Sequence, residues 1–236
     1  GDEQNYHFKV LKLICQKLGL PAADGIYHLS YGMVELPTGK MKSREGTVVD
    51  ADDLVAEMIQ ISKEKTESLG KVSDFTPAQL TTLYNTIGLG ALKFFLLRVD
   101  PKKKMIFNPE ESIDFHGFTG PFIQYTHARI KSILRKTGTT TNIQASTLLP
   151  LEKALIIALS NFPNTINEAA ENLDPSKLAI YAFELAKLFN SFYTEHSINN
   201  AESEEKKQLR IQLAILTAAT LSKAMRALGI DVPEQM

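Results

Sequence analysis

Cysteine, net charge and long apolar runs are almost absent from this sequence, and each absence excludes a class of protein. Because Cys15 is the single cysteine among 236 residues, an internal disulfide framework and a cysteine zinc site are both excluded. A net charge of −1 gives no overall field for nucleic acid, so any RNA surface is local. No apolar run reaches the ~18 residues of a membrane span, and no cationic, then apolar, leader opens the chain. We therefore expect a cytoplasmic protein without a membrane partner.

The order of helical and extended patterns predicts a small α/β piece followed by a helical bundle. A helical pattern over 3–18 contains Cys15, which we expect to be a small core residue. An alternating, β-favouring segment follows at 26–36, and residues 47–49 form a short strand candidate. A capped helix over about 51–68 then precedes a chain that is helical almost throughout.

Caps and breaks place the later helices. Thr76 to Gln79 has the form of a capping box with proline at the first helical position, and the helix that follows has Gly88 and Gly90 as weak points. A further helical region over 148–173 has a break near Asn161-Phe162-Pro163. Long amphipathic helices with short loops are typical of a bundle.

One short stretch has the composition of a phosphate-binding loop. Two glycines enclose cations and a serine in the order Gly39, Lys40, Met41, Lys42, Ser43, Arg44, Glu45, Gly46. Cations and a hydroxyl on a glycine-bounded loop supply the charge and the donors that a polyphosphate requires. By composition alone, a solvated turn is the commoner meaning of such a loop, and both interpretations stay open.

A second candidate site is the basic, aromatic stretch 116–136. No acidic residue occurs from His116 to Leu151. Helical spacing puts Tyr125, Arg129 and Lys136 near one face. Cations of this kind bind phosphate, and aromatic rings stack unpaired bases at ~1–3 kcal/mol each. The alternative is a purely structural helix with core aromatics and a solvated basic face.

Several segments, in order along the chain, are similar to motifs of one family. The sequence KMKSREGTVV at 40–49 resembles the KMSKS loop of class I aminoacyl-tRNA synthetases in its arginyl-tRNA synthetase form. GPFIQYTHAR, in 120–130, resembles the GPYxQYxHAR signature of arginyl-tRNA synthetases. Segments 188–193 and 228–236 are similar to the family's FNxFY segment and its LGIxxPExM ending, and 1–8 is similar to its arginine-contacting segment.

The resemblance implies a mainly α fold: the remnant of a class I Rossmann-type catalytic domain, followed by an α-helical anticodon-binding bundle. We expect the catalytic remnant over 1–72, a helical connector over 73–115 and the anticodon-binding domain over 116–236. The chain begins without methionine inside a helical pattern and contains no HIGH signature. We therefore expect the C-terminal part of a longer enzyme, which keeps anticodon-region binding but does not activate arginine alone.

The implied reaction ligates L-arginine to its tRNA with ATP, releasing AMP and diphosphate. Mg²⁺ is expected to accompany ATP, no metal is expected to be ligated by the protein, and a monomer is expected. Lys40 matches the family's first loop lysine, whereas Ser43 stands where the second lysine usually lies, so Lys42 or Arg44 supplies the second charge.

The resemblance assigns the remaining roles by position. Lys40, Lys42 and Arg44 are expected to be catalytic. The expected ATP-binding residues are Lys40, Met41, Lys42, Ser43 and Gly46, and Gln4 is expected to contact the substrate arginine. The expected tRNA-binding residues are Phe122, Gln124, Tyr125, Arg129, Tyr193 and Met236.

Other interpretations are open for two of these residues and for the class of protein. Tyr193 also fits a core aromatic, and Met236 fits a frayed terminus. A non-catalytic helical RNA-binding module would have no use for the loop at 39–46. A relative of cysteinyl-tRNA synthetase, which has a similar helical domain, is disfavoured by the HAR helix at 127–129 and by the single cysteine.

Overall fold

The computed structural model describes residues 1–35, 50–68, 70, 74–138 and 147–236, and within them the chain is mainly helical, as predicted. The α-helices are α1 Asn5–Lys17, α2 Ala51–Ser68, α3 Pro77–Leu97, α4 Pro109–Ser112, α5 Gly120–Thr137, α6 Pro150–Ser160, α7 Phe162–Asn172, α8 Ser176–Glu195 and α9 Glu204–Ala227. The strands are β1 Val34–Glu35 and β2 Met105–Ile106, and short 3₁₀ helices cover Asp2–Gln4 and Ala23–Gly25.

Helix α1 ends at Lys17, two residues before Gly19, whose φ of 69° is favourable for glycine, and none of the residues of α1 is buried. The elements packed most closely on it are the two 3₁₀ helices. This is too little structure to cover its apolar side, so Leu13 and Ile14 are 51% and 50% exposed. The expectation of a core position for Cys15 is wrong, because this residue is only half-buried.

The predicted extended segment 26–36 forms far less strand than expected. Within the described part of it, only Val34–Glu35 pairs, in parallel with Met105–Ile106. A strand extends only where a partner supplies hydrogen bonds, and β2 is two residues long. Gly32 brings the segment close to its neighbour, since a Cβ there would lie 2.2 Å from the Lys103 carbonyl oxygen. The strand candidate at 47–49 lies outside the described residues.

Helices α2 and α3 pack tightly because glycine removes side chains from their contact. The predicted capping box begins α3, with the Gln79 N–H donating to Thr76 Oγ1 at 3.3 Å. Helix α3 then runs unbroken through Gly88 and Gly90, so neither is a break. A Cβ on Gly88 would lie 2.9 Å from the Met58 carbonyl oxygen of α2. Gly88 therefore permits the close contact of α2 with α3.

Helix α3 links two apolar clusters. Phe94 belongs to the larger one, which forms the core of α5–α9, and Phe95 belongs to the smaller one around α2. The helix is long and apolar enough to cross a membrane by length and composition. Core helices share that property, and Ile87, Phe94 and Phe95 are all buried here.

The bundle follows the predicted boundaries closely. The expected break near Asn161 is present, since α6 ends at Ser160 and α7 begins at Phe162. Thr119 begins α5 by accepting a hydrogen bond from the Phe122 N–H at 3.3 Å. Gly229, with a φ of 70°, follows the end of α9.

A buried ion cluster that the sequence patterns did not predict joins α6 to α9. The Glu152 carboxylate, fully buried, accepts hydrogen bonds from the Leu149 N–H, Lys206 Nζ and Arg210 Nε. Arg210 also donates to Glu202 at 2.6 Å. Burial alone raises the pKa of Glu152, but the Leu149 N–H and the two cations outweigh it, so this pKa lies below its ordinary value.

Candidate nucleic-acid interface

The predicted nucleotide-binding residues are not among those that the structure describes. Lys40, Met41, Lys42, Ser43, Arg44 and Gly46 all fall within 36–49. The chain is described up to Glu35 in β1 and again from Asp50, whose Oδ1 accepts a hydrogen bond from the Asp52 N–H at 2.9 Å. The roles assigned to this loop stay predictions.

Gln4 lies at the start of α1 with its side chain exposed. The segment around it is fixed to residues 28–31. The Asp2 N–H donates to the Tyr31 carbonyl at 2.9 Å, and the Phe8 and His28 rings stack with centroids 4.1 Å apart. The proposed contact of Gln4 with arginine is compatible with this exposure and stays a prediction.

Helix α5 starts where α3 comes closest to it. A Cβ on Gly120 would lie 2.7 Å from the Gly90 carbonyl oxygen and 3.0 Å from Cβ of Phe94. Glycine at this point lets the two helices touch, and Pro121 suits the first turn because its missing N–H needs no partner there. The Gly-Pro of the signature therefore sets the position of the basic helix.

Two of the predicted tRNA-binding residues face the interior. Gln124 is fully buried, and its amide donates to the carbonyls of Thr86 and Asp231 at 2.9 and 2.8 Å. The half-buried Phe122 packs on Phe183 of α8, with ring centroids 5.2 Å apart. Helix spacing turns these side chains toward α3 and α8, so neither lines the groove formed by the other predicted residues.

The other four predicted residues lie together in one groove. Tyr125 and Arg129 of α5, Tyr193 of α8 and the C-terminal Met236 all line a cavity of about 710 Å³. They come from three separate segments, so packing alone brings them together. The remaining lining residues are Asp74, Phe75, Ala128, Ser132, Ile133, Arg135, Lys136, Thr194, Asn199 and Gln235.

Arg129 is held in place at the groove by two neighbours. Its Nη1 donates to Asn190 Oδ1 at 3.0 Å, and its guanidinium carbon lies 5.0 Å from the Tyr125 ring centroid. Asn190 is fixed in turn by donating to Thr126 Oγ1 at 2.9 Å. The Arg129 guanidinium, a planar group with five N–H donors, is thus held in one orientation at the groove. It keeps further N–H donors with which it can bind an anion.

Tyr193 combines the two roles considered for it, a core aromatic and a residue of the groove. Its ring lies parallel to that of Phe189, with centroids 6.3 Å apart, and it packs against the bundle core. The residue is nevertheless only half-buried and lines the groove.

Cations of α5 lie along one side of the groove, although neighbouring groups partly neutralise them. Arg135 Nη1 donates to the Glu234 carbonyl at 3.1 Å, and Lys131 forms an exposed ion pair with the Glu234 carboxylate at 3.1 Å. Lys136 is exposed, whereas Asp74 adds an acid to the lining. The field is therefore local and moderate, as the net charge of −1 predicts.

The C-terminal tail is docked, so a frayed terminus is the wrong interpretation of Met236. Ile230 is 2% exposed, and the His127 ring Nδ1 lies 2.9 Å from the Pro233 carbonyl oxygen. Met236 packs on the smaller apolar cluster. Burial lowers the pKa of His127 below its ordinary value, although the Pro233 carbonyl and the Glu234 charge act in the opposite direction.

Sequence reasoning missed part of the groove. Phe75 precedes α3, while Thr194 and Asn199 lie at the end of α8 and in the loop after it. None belongs to a periodic or basic pattern, so only the three-dimensional packing identifies them. Gln235 carries a weak signal, because it adjoins the predicted Met236.

Two family matches divide the chain between them. Residues 1–108 match the family described as tRNA synthetases class I (R), catalytic domain, and residues 123–236 match the DALR anticodon binding domain. The chain therefore has the domain order of a class I aminoacyl-tRNA synthetase, in which a helical anticodon-binding domain follows the catalytic domain. All of it aligns with arginine–tRNA ligases from Flavobacterium psychrophilum at 55% identity and Amoebophilus asiaticus at 49%. It belongs to the arginyl-tRNA synthetase family.

Solved structures agree with this assignment. Thermus thermophilus arginyl-tRNA synthetase superimposes with a TM-score of 0.85 at 30% identity, covering 95% of this chain and 38% of that one. The Plasmodium falciparum enzyme, at 21% identity and a TM-score of 0.74, covers 99% of this chain and 40% of its own, and supports the fold. The chain spans 39% and 41% of the length of the two ligases named above.

Proposed function

We propose that this chain is the C-terminal part of an arginyl-tRNA synthetase and that it binds the anticodon region of its tRNA in the groove beside α5. The observation that carries the proposal is the meeting of Tyr125, Arg129, Tyr193 and Met236 in that groove. All four are among the residues to which the motif resemblance assigns tRNA binding.

The chemistry of the groove suits single-stranded RNA. The rings of Tyr125 and Tyr193 offer surfaces on which unpaired bases stack, at ~1–3 kcal/mol per base. Arg129 offers an oriented guanidinium for a phosphate. Thr194 and Asn199 add polar side chains to the lining, and the Thr194 hydroxyl, which donates to the Asn190 carbonyl at 2.9 Å, can still accept from a base edge. The volume of about 710 Å³ is within the ~300–1,000 Å³ usual for ligand sites.

The catalytic part of the proposal rests on family membership. The whole enzyme would join L-arginine to ATP, giving arginyl-adenylate and diphosphate, and then transfer the arginyl group to the tRNA with release of AMP. The loop 39–46 would stabilise the charge that develops on the leaving diphosphate, with Lys40 and either Lys42 or Arg44 as the cations. Gln4 would contact the arginine.

ATP is a substrate here, and Mg²⁺ would enter with it. Among the residues with described positions, no group of three or more His, Cys, Asp or Glu side chains is placed to hold a metal. Mg²⁺ usually keeps several waters and binds substrate phosphates, so we expect waters and the phosphates of ATP to supply most of its ligands.

The exposed face of α1 supports the proposal that further catalytic structure belongs with this chain. Leu13 and Ile14 are about half exposed, and Leu18 is 70% exposed. Several neighbouring apolar side chains on one helix are typical of a surface that another element covers. The matched ligases, which are about two and a half times longer, have the length to supply it.

The domain limits 1–72, 73–115 and 116–236 belong to the same proposal. They are supported by the two apolar clusters, between which α3 forms the connector. A cytoplasmic location, a monomeric state and the lack of a membrane partner are proposed with them, and size-exclusion chromatography with light scattering tests the monomer.

Two assays on the 236-residue chain test the proposed function. In a fluorescence anisotropy titration, the chain should bind an arginine-accepting tRNA transcript more tightly than the same transcript with its anticodon loop replaced by four uridines. In an aminoacylation assay, the chain alone should not charge that transcript. Equal affinity for both transcripts would refute the anticodon assignment, and charging by the chain alone would refute the proposed division of catalysis.

A further inference from the structure

The main chain of the C-terminal tail, residues 229–236, is bonded to side chains of α3 and α5. The carbonyl oxygens of Gly229, Asp231, Pro233 and Glu234 each accept a hydrogen bond or lie within bonding distance of a side-chain nitrogen. The nitrogens and distances are Lys93 Nζ at 2.7 Å, Gln124 Nε2 at 2.8 Å, His127 Nδ1 at 2.9 Å and Arg135 Nη1 at 3.1 Å. Such bonds hold the main chain of the tail, and the buried side chain of Ile230 adds an apolar contact.

Gln124 connects this tail to α3. One side-chain nitrogen, Nε2, donates to the Thr86 carbonyl of α3 at 2.9 Å and to the Asp231 carbonyl of the tail at 2.8 Å. Both partners only accept, so the amide must present its NH₂ group to them. Gly90 leaves the space, since a Cβ there would lie 2.4 Å from this nitrogen.

The polar character of Gln124 has a cost that simple packing would avoid. The side chain is fully buried, and its Oε1 has no hydrogen-bond partner among the described residues. An apolar side chain of similar shape would fill the same space without an unpaired buried acceptor. The two N–H bonds therefore indicate that Gln124 serves to orient its neighbours. One of these bonds attaches the tail at Asp231.

His127 makes the second buried attachment. It is 2% exposed, and the Pro233 carbonyl can only accept, so Nδ1 must carry a proton. The bond has an ordinary length of 2.9 Å, and its carbonyl lies three positions before Met236. Gln235 and Met236, immediately after it, line the groove.

Helix α5 thus has different tasks on two faces. Tyr125 and Arg129 line the groove, whereas Gln124 and His127 hold the tail. We propose that Gln124 and His127 are positioning residues for RNA binding: they fix the C-terminal tail so that Gln235 and Met236 complete the groove, without touching the RNA themselves. This inference rests on the proposed function, because it takes the groove to be the RNA site.

A matched pair of substitutions at His127 tests the proposal in the 236-residue chain. In His127→Asn, the amide Nδ2 occupies the place of ring Nδ1 and keeps a donor; His127→Leu removes it. Two quantities are measured: the rate at which carboxypeptidase Y releases Met236, followed by mass spectrometry, and the affinity for an arginine-accepting tRNA transcript.

We expect His127→Leu to speed the release of Met236 by about tenfold and to weaken tRNA binding by a similar factor, as the loss of one buried hydrogen bond implies. His127→Asn should stay within about twofold of the unaltered chain in both assays. Gln124→Met, which keeps volume and loses both donors, should behave like His127→Leu. Both assays are run well below the melting temperature of each variant.

Thr165→Val is the control for general destabilisation. It removes a buried hydroxyl that bonds to the Asn161 carbonyl at the start of α7. If the tail variants release Met236 no faster than this control, the attachment is refuted. If they release it faster but bind tRNA normally, the tail does not complete the groove. If the unaltered chain binds no tRNA, the proposed function fails and the RNA part fails with it, while digestion still decides the attachment.

Discussion

Replacing Arg129 by alanine should weaken tRNA binding and lower its dependence on salt. The guanidinium is oriented by Asn190 Oδ1 at 3.0 Å and by the Tyr125 ring, so little ordering is needed when a phosphate binds. A hydrogen bond to a charged group contributes ~1.5–3 kcal/mol, so we expect an affinity loss of about 10- to 150-fold.

The salt series gives the sharper result. One phosphate contact to single-stranded nucleic acid changes the slope of log affinity against log salt by about 0.7. Anisotropy titrations of an arginine-accepting tRNA between about 50 and 200 mM KCl, a range over which phosphate contacts change affinity strongly, should therefore show a shallower slope by that amount for Arg129→Ala.

Arg226→Ala is the matched control, because it removes the same charge from an exposed position of α9 that does not line the groove. Its slope and affinity should equal those of the unaltered chain. Arg129→Ala also loses its bond to Asn190, about 1 kcal/mol of folding stability, so folding is checked by circular dichroism. Equal slopes for the two variants would refute a phosphate contact by Arg129.

Three further predictions concern stacking, the buried ion cluster and helix contact. Tyr125→Ala should weaken tRNA binding by ~1–3 kcal/mol while shifting the melting temperature little; a large melting shift with unchanged affinity would make Tyr125 a core residue. Glu152→Gln leaves the buried Lys206 without its counter-charge and Arg210 with Glu202 alone, so urea denaturation at pH 7 should show a loss of ~3–5 kcal/mol. Because the pKa of Glu152 is lowered, the unaltered chain should lose this stability as the pH falls below the ordinary value of 4.5, and the variant should show a flatter profile there; identical profiles would contradict the cluster's role. Gly120→Ala should destabilise by ~1–3 kcal/mol, since its Cβ would lie 2.7 Å from the Gly90 carbonyl oxygen, and a gain in stability would show that α3 and α5 are not in close contact.

Local signals predicted the helices well. Helix ends are determined by residues next to them in the sequence, so the sequence alone predicts them. Examples are the capping box at Thr76, the proline after Asn161 and the glycine at 229. Within the described part of the predicted extended segment 26–36, only Val34–Glu35 pairs, because strand pairing needs a partner elsewhere in the chain, and here the partner is two residues long.

The groove required both kinds of information. Motif resemblance selected Tyr125, Arg129, Tyr193 and Met236, but the same motif also contained Gln124, which is buried. Sequence spacing distinguishes faces of a helix only when the positions of neighbouring elements are known. The hydrogen bonds between the tail and α5 join residues about 100 positions apart in the sequence, so no local sequence pattern predicts them.

The most direct test of the account is a hydroxyl-radical footprint of an arginine-accepting tRNA bound to the 236-residue chain. The groove assignment predicts protection centred on the anticodon loop, and Tyr125→Ala should reduce it at the same protein concentration. Protection confined to the acceptor stem, or a loop footprint unchanged by Tyr125→Ala, would contradict the assignment of this groove to the anticodon region.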